Sequence, residues 1–293
     1  MGIRNAAKAI IIDNGKILAR SPNTYKGDVN MRDVHVHFLH GNGGGYTQEF
    51  FEGFITNAER AGLHEIYLLE HTFQFTEFEK IYAPVKAYND YQCNWINRKM
   101  DGSIERYLRF IETVRDNAYP IKVKFGLEVC YIPKTEDKLA NVLDEYDFDF
   151  LTGSVHWING WGFDFSSQKE IWEMADVNKV YREYYKIMCE LCESGLFTGL
   201  AHPDSIKCFG YMPTNDMIDT YNELAMLICK YGMYAENNGG LRLNYSPDLE
   251  LGLNKRMLDV FKKNGVMIYT ASDAHKQSDV GANIRELEMM LKS

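Results

Sequence analysis

The sequence predicts an α/β protein whose main body is a (β/α) barrel of seven units. From Arg32 onward, short apolar runs alternate with longer amphipathic stretches, the pattern of buried parallel strands joined by crossover helices. Seven such units fit within residues 32–293, which suits one barrel better than two separate domains. No internal repeat or Pro/Gly-rich linker divides the chain of 293 residues.

Each predicted strand is an apolar run that is followed by a helical pattern. The strands are predicted at residues 33–38, 65–71, 122–129, 148–156, 196–202, 233–237 and 266–275. The clearest helical patterns cover residues 47–62, 103–117, 177–195, 216–232 and 253–265. Several of these patterns end in Gly, which commonly follows a helix.

Residues 1–31 are predicted to form an N-terminal extension that contains a short β-hairpin. Two apolar runs within residues 7–19 flank Asp13-Asn14-Gly15, and Asn-Gly accepts the positive φ angles of a tight turn. The predicted organisation is therefore an extension of residues 1–31 followed by a barrel domain of residues 32–293. The sequence assigns no role to the extension.

Composition argues against several kinds of partner. The formal net charge of −9 disfavours long nucleic acid, because binding a phosphate backbone needs clustered Lys and Arg. No apolar run approaches the roughly 18 to 20 residues that span a bilayer, and the first residues lack a signal-peptide pattern, so we expect no membrane partner and a cytoplasmic location. A small phosphorylated substrate stays compatible with the charge, because bound metal ions can override it locally. The oligomeric state is left open.

The positions of the histidines indicate a metal site. Six of the eight stand in or at the end of a predicted strand, and one glutamate and one aspartate occupy equivalent places. The C-terminal ends of all strands in a parallel barrel emerge on one face, so these side chains are expected to converge. The candidate metal ligands are His35, His37, His71, Glu128, His156, His202, Asp273 and His275.

Spacing within two motifs supports this prediction. His35 and His37 are two residues apart on a strand, so both are expected to face the barrel interior, while Val34 and Val36 face the surrounding helices. Asp273 and His275 repeat the spacing on the last strand. Imidazole and carboxylate ligands suit Zn²⁺, Mn²⁺ or Fe²⁺, and eight ligands exceed what one ion binds, so two or three divalent ions are expected.

Six motifs in order resemble those of the PHP (polymerase and histidinol phosphatase) superfamily. They are DVHVHF, LLEHTFQF, GLEVCYIP, GSVHWINGWGFD, LAHPDSIKCFGY and SDAHKQSDVG. The longer matches, GLEVCYIP and SVHWINGWGFD, look specifically like histidinol-phosphate phosphatases. The resemblance runs from about residue 32 to the C-terminus, and the ordered set is far more specific than any single motif.

The resemblance implies a distorted seven-stranded barrel with a trinuclear metal centre. It implies one ion held by His35, His37, Glu128 and Asp273, a second that Glu128 shares with His156 and His202, and a third at His71 and His275. The family usually supplies another histidine shortly after the HxH pair, where this chain has Gly43. His40 is one substitute, and a weakly held third ion is the alternative.

A centre of this kind would hydrolyse a phosphomonoester. Divalent ions lower the pKa of a bridging water, so that hydroxide attacks phosphorus, and they neutralise the phosphate oxygens. The candidate catalytic residues are Glu128 as the bridging ligand and Asp273 and His275 as possible acids for the leaving alkoxide. The resemblance implies conversion of L-histidinol phosphate and water to L-histidinol and phosphate, in histidine biosynthesis. The alternatives are another small phosphomonoester or a nucleotide, and a non-catalytic metal-binding barrel.

The substrate phosphate also calls for a cation outside the metal ligands, preferably arginine. Arg242 is the first candidate, because similar family members carry Gly-Leu-Arg at this strand end, and a solvated loop charge is the alternative. Lys207 is the second candidate. Four aromatic residues could either wall a pocket for an imidazole ring or pack the loops: Phe73, Phe75, Trp157 and Trp161.

Overall fold

The computed structural model describes residues 31–39 and 45–293, together with the backbone of residues 12–13 and 16–17. Two short strands, β1 (Ile12–Asp13) and β2 (Lys16–Ile17), pair antiparallel, as expected for the predicted hairpin. The Asn14-Gly15 turn, His40 and Gly43 lie outside the described residues.

Seven strands form one parallel sheet. The strands after the hairpin are β3 (Arg32–His37), β4 (Glu65–His71), β5 (Lys122–Cys130), β6 (Phe150–Ser154), β7 (Trp157–Ile158), β8 (Trp161–Gly162), β9 (Gly199–Leu200), β10 (Tyr234–Asn238) and β11 (Met267–Ala271). The sheet has the order β11-β10-β9-β6-β5-β4-β3, while β7 and β8 form a separate antiparallel pair. Each predicted barrel strand is therefore present.

The first and last strands of this sheet meet and nearly close the barrel. The His37 amide donates to the Ala274 carbonyl at 2.9 Å, and the Asp273 amide donates to the His35 carbonyl at 3.0 Å. A parallel bridge joins Val36 to Ala274. These contacts lie just beyond the end of β11, and they bring two of the predicted ligand motifs side by side.

Helices surround the barrel. They are α1 (Gln48–Arg60), α2 (Ala83–Lys86), α3 (Asp90–Lys99), α4 (Ile104–Arg115), α5 (Glu136–Leu143), α6 (Glu170–Met174), α7 (Val177–Glu193), α8 (Ile218–Lys230), α9 (Gly240–Asn244), α10 (Lys255–Lys263) and α11 (Ile284–Lys292). The five clearest helical patterns are confirmed as α1, α4, α7, α8 and α10. Thr47, Asp176 and Asn254 begin three of them by accepting a hydrogen bond from a backbone amide of the first turn. Within the described part of the chain, none of these helices has both the length and the apolar surface required to cross a bilayer.

The prediction that Val34 and Val36 face the helices is wrong for Val34. The register of β3 against β4 shifts between Asp33 and Val36, so that two residues of β3 lie opposite one residue of β4. This bulge turns Val34 inward, since an extra residue breaks the simple alternation of strand faces. Val34 packs in a small cluster with side chains of the barrel interior: Tyr67, Leu69, Phe150, Tyr234 and Ala271.

Only Gly199 and Leu200 of the strand predicted at residues 196–202 have strand geometry, so the observed strand is much shorter than the apolar run. The Tyr234 side chain of the adjacent strand occupies the space beside Gly199, and a Cβ atom there would overlap its ring. Tyr234 in turn hydrogen-bonds Thr152 through its hydroxyl at 2.6 Å. The buried Tyr234 side chain thus fills the part of the barrel interior beside Gly199, which has no side chain of its own.

Two connections rise above the C-terminal ends of the strands. Helices α2 and α3 lie between β4 and β5, and the β7–β8 pair follows β6. Buried Gln92 of α3 joins them, because its Nε2 donates to the Gly160 carbonyl at 2.5 Å and its Oε1 accepts from the Gly162 amide at 2.8 Å. The two connections therefore form one wall beside the barrel mouth.

Candidate metal centre

The eight side chains predicted as metal ligands converge at the C-terminal end of the barrel. They form four overlapping groups of three, and in each group the ligand atoms lie within 4.8 Å of one another. The groups are His37–His71–His275, His35–Glu128–His202, His35–His37–Asp273 and His71–Glu128–His156. These side chains come from the ends of six different strands, as a parallel barrel requires.

Glu128 lies at the middle of the cluster. Its side chain is fully buried, and its Oε1 lies 2.9 Å from His156 Nε2 and 3.1 Å from His202 Nε2. Its Oε2 lies 2.8 Å from His71 Nδ1 and 3.2 Å from His35 Nε2. The two oxygens therefore face two different sets of histidines, which is the placement that a bridging ligand needs.

Asp273 completes the opposite side of the cluster. Its Oδ1 lies 3.4 Å from His37 Nε2 and 3.6 Å from His35 Nε2. The His37 ring lies next to those of His71 and His275, with centroid distances of 4.2 and 4.4 Å. The grouping differs from the one that the resemblance implies. His37 belongs with His71 and His275 as well as with Asp273, and His156 and His202 fall in different groups, each with Glu128.

The protonation states of three histidines and of both carboxylates favour metal binding. Burial lowers the pKa of His37 and His71, and it brings the pKa of His275 to about 4. Burial opposes ionisation of Glu128 and Asp273, yet the surrounding imidazoles hold the pKa of both carboxyl groups well below the usual range. Neutral imidazoles beside ionised carboxylates are the forms that bind a divalent cation.

The donor set fits divalent ions such as Zn²⁺, Mn²⁺ and Fe²⁺. Six imidazoles and two carboxylates supply the nitrogen and oxygen atoms that these ions accept. His202 Nδ1 is buried and has no hydrogen-bond partner among the described residues. A buried polar atom of this kind normally has a partner, so a group other than the described residues is expected beside it.

Glu236 of β10 is a functional residue that sequence reasoning missed. Its fully buried carboxylate accepts from His35 Nδ1 at 3.0 Å, from the His202 amide at 3.1 Å and from Asn238 Nδ2 at 2.8 Å. By accepting from Nδ1 it directs Nε2 of His35 toward Glu128, as outer-shell carboxylates do for metal-bound histidines. A signal was present, since an acidic residue within a buried strand needs a partner.

Glu236→Gln is expected to weaken metal binding by about 10- to 100-fold, the usual effect of losing an outer-shell carboxylate. The amide keeps the volume but removes the charge that holds the His35 proton at Nδ1. Competition with a chromophoric chelator measures the affinity, and Glu286→Gln, an exposed glutamate on α11, serves as the control. Equal affinities for the two variants would exclude an orienting role for Glu236.

Asp164 plays the corresponding part for His156. It follows β8, and its Oδ2 lies 2.7 Å from His156 Nδ1. Burial acts to lower the pKa of His156, but the Asp164 carboxylate raises it well above its usual value. The sequence motif GSVHWINGWGFD contained this aspartate, although nothing in the spacing assigned it to His156.

A cavity of about 430 Å³ opens directly above the ligand cluster. Its lining residues are His71, Phe73, Trp95, Glu128, His156, Trp157, Asp164, Phe165, His202, Asn244, Tyr245, Asp273, His275 and Lys276. Of the four aromatic candidates, Phe73 and Trp157 line the cavity, whereas Phe75 and Trp161 pack in the core. Trp95 and Phe165 add to the wall, with ring centroids 5.0 Å apart.

Among the described residues, the lysine or arginine that lines this cavity is neither of the two candidates that the sequence favoured. Lys276 is the lining residue that carries a basic side chain. Arg242 Nε donates to the Leu249 carbonyl at 3.1 Å, and its guanidinium lies 3.9 Å from Glu286. Lys207 is buried, and its Nζ contacts Asp204 at 2.7 Å, Glu250 at 2.9 Å and the Gly252 carbonyl at 2.8 Å. The structure therefore places Arg242 and Lys207 outside the cavity lining and gives both other partners.

Together, the fold and the ligand cluster define a metal-binding (β/α) barrel with an open cavity above its metal ligands, the architecture of a metal-dependent phosphatase. The PHP domain family matches residues 33–240, and the chain belongs to that family.

Two proteins named as histidinol-phosphatases are similar to this chain in sequence. A protein of Deinococcus radiodurans named "Probable histidinol-phosphatase" is 29% identical over 179 residues, covering 61% of this chain and 67% of that protein. The histidinol-phosphatase of Bacillus subtilis is 26% identical over 200 residues, covering 61% of this chain and 73% of the relative.

The fold also resembles a solved structure, the histidinol phosphate phosphatase of Lactococcus lactis complexed with zinc, L-histidinol and phosphate. The TM-score is 0.63 and the sequence identity is 18%, over 90% of this chain and 93% of the other. At this identity the likeness concerns the fold.

Proposed function

We propose that the protein hydrolyses L-histidinol phosphate to L-histidinol and phosphate. The observation that carries this proposal is the convergence of six histidines and two carboxylates beneath a cavity with aromatic walls. The histidinol-phosphatase names of the relatives support the choice of substrate. A cytoplasmic location and the absence of long nucleic acid as a partner stay predictions of the sequence.

The eight ligands would hold two or three divalent ions, with Zn, Mn and Fe as candidates. Glu128 would be shared between ions, because its two oxygens face different histidines. When bound, such ions supply a water of lowered pKa as nucleophile and neutralise the charge of the phosphate. The residues of the chain fix the geometry, and Asp273 and His275, at the cavity surface, are proposed to position the proton donor for the leaving alkoxide, since their own low pKa values leave both unprotonated near neutral pH.

The cavity matches the two ends of the proposed substrate. Lys276 can attract the phosphate from the cavity rim, where the ammonium group would add to the charge of the metal ions. The Phe73, Trp95 and Phe165 rings offer flat apolar surfaces on which an imidazole can stack. A phosphomonoester whose leaving group carries a planar heteroaromatic ring matches both the basic side chain and the aromatic wall.

The test is phosphate release from L-histidinol phosphate beside a panel of other small phosphomonoesters and nucleotides. We expect turnover with Zn²⁺, Mn²⁺ or Fe²⁺, loss of turnover after chelation, and recovery when metal is restored. A clear preference for another ester would replace the proposed substrate. Absence of turnover on every ester at full metal occupancy would instead support a non-catalytic metal-binding barrel.

Lys276→Ala is expected to raise KM for L-histidinol phosphate by about tenfold, because a charge-assisted contact with the phosphate is lost. The metal ligands are unchanged, so kcat should fall less than KM rises. Steady-state kinetics with Arg242→Ala as the comparison variant distinguish the two cations. If Arg242→Ala raises KM and Lys276→Ala does not, the sequence-based choice of Arg242 is correct.

A further inference from the structure

The Asp164 carboxylate both contacts a predicted metal ligand and lines the cavity. One oxygen, Oδ2, lies 2.7 Å from His156 Nδ1, on the far side of the ring from Glu128. The side chain also lines the cavity and is 14% exposed. Asp164 therefore belongs both to the support of a metal ligand and to the surface that a bound molecule would touch.

The second oxygen of Asp164 is available to a ligand. Among the described residues, Oδ1 makes no hydrogen bond or ion pair, whereas a carboxylate can accept several. Three carboxylates line the cavity, and two of them, Glu128 and Asp273, belong to the metal cluster. This leaves Asp164 as the acidic group of the lining that can face the leaving group of the substrate.

Aromatic rings line the same cavity as this carboxylate. Phe165 is its neighbour in the chain and contacts Trp95 and Trp157, with centroid distances of 5.0 and 6.5 Å. Rings limit the access of water, which strengthens an ion pair formed between them, and their faces attract cations. The surroundings of Asp164 thus favour a small organic cation over a neutral group.

We propose that Asp164 Oδ1 binds an ammonium group on the leaving-group side of the substrate, which makes the enzyme selective for phosphomonoesters of amino alcohols. The inference rests on the proposed function and deepens it. In L-histidinol phosphate two carbon atoms separate the ester oxygen from the amino nitrogen, so the group that binds this nitrogen must lie close to the metal ligands. Asp164 meets that condition, because a single imidazole ring separates it from Glu128.

The first experiment compares two substrates that differ in this group alone: L-histidinol phosphate and 3-(imidazol-4-yl)propyl phosphate, which has no amino group. We expect the wild-type enzyme to prefer the amino substrate in kcat/KM by about tenfold or more, the effect of one charge-assisted hydrogen bond. Asp164→Asn should bring the ratio of the two kcat/KM values close to one. Asp259→Asn, an exposed aspartate on α10, should keep the wild-type ratio.

The ratio separates this role from the support that Asp164 gives to His156. Loss of metal in Asp164→Asn would lower turnover of both substrates alike, so it cancels in the ratio. A variant that loses activity but keeps the wild-type ratio would overturn the proposal. Metal content, measured for every variant, shows how much of the overall loss comes from the metal site.

A second experiment measures binding to the wild-type protein, so it needs neither turnover nor the Asp164→Asn variant. Calorimetry with the metal-loaded wild-type protein compares binding of L-histidinol with that of 3-(imidazol-4-yl)propan-1-ol. We expect about tenfold tighter binding of the amino alcohol, and equal affinities would overturn the role of Asp164. Equal hydrolysis of both phosphate esters would overturn it too while leaving the proposed function intact, whereas hydrolysis of neither would overturn both.

Discussion

Glu128→Gln is expected to lower kcat/KM for phosphate release by about a thousandfold or more, the equivalent of several kcal/mol of transition-state stabilisation. The fully buried carboxylate faces five histidines through two oxygens. Glutamine keeps the shape but removes the charge, and its amide group cannot serve as an anionic ligand. At least one ion should therefore be lost together with activity.

Metal analysis and steady-state kinetics on the same preparation test this expectation. Glu105→Gln, an exposed glutamate on α4, should keep both the metal content and the rate. Thermal unfolding should show that the Glu128 variant is folded, since isolated removal of a buried negative charge also relieves a desolvation cost. Normal turnover by Glu128→Gln would rule out Glu128 as a bridging ligand.

The barrel could be predicted because its signals are local and repeated. Each strand is an apolar run of a few residues, and the helices between them carry apolar residues at helical spacing, as in α7 and α8. The ligands could be found for a related reason. Polar residues such as His71 and His202 stand at the ends of otherwise apolar runs, and the topology of a parallel barrel brings those ends together.

Other features depend on contacts that no local pattern encodes. The bulge that turns Val34 inward follows from the pairing of β3 with β4, and the need for glycine at position 199 follows from the Tyr234 ring of the adjacent strand. Both depend on contacts with a neighbouring strand rather than on the local sequence.

The supporting residues of the site were hidden for the same reason. Glu236 contacts a histidine 201 residues away, and Asp164 contacts one eight residues away across the β7–β8 pair. In both cases an acidic residue alone does not indicate its partner. The positive charge beside the cavity was assigned to Arg242 by resemblance, whereas the side chain that reaches the lining is Lys276. The motifs predicted the position of the metal ligands, but the direction of each nearby side chain decides which residues contact those ligands or line the cavity.

Gly240→Ala is expected to lower kcat/KM by about a hundredfold, because it would displace a ligand by a fraction of an ångström or more. Gly240 begins α9 beside Asp273, and a Cβ atom there would lie 2.6 Å from Asp273 Cβ and overlap its carboxylate. Asp273 has little freedom to retreat, since its φ of 59° is in the left-handed region and its amide is bonded to the His35 carbonyl.

The neighbouring glycine supplies the matched control for this prediction. A Cβ atom on Gly239 would meet Leu287 and Asn283 at 3.4 and 3.5 Å, which is ordinary contact, so Gly239→Ala should keep most of the activity. Alanine is also a better helix former than glycine, so weakening of α9 cannot explain a loss in Gly240→Ala. The test is to measure kcat/KM and metal content for both variants. Equal values for Gly240→Ala and Gly239→Ala would contradict the placement of Asp273 among the metal ligands.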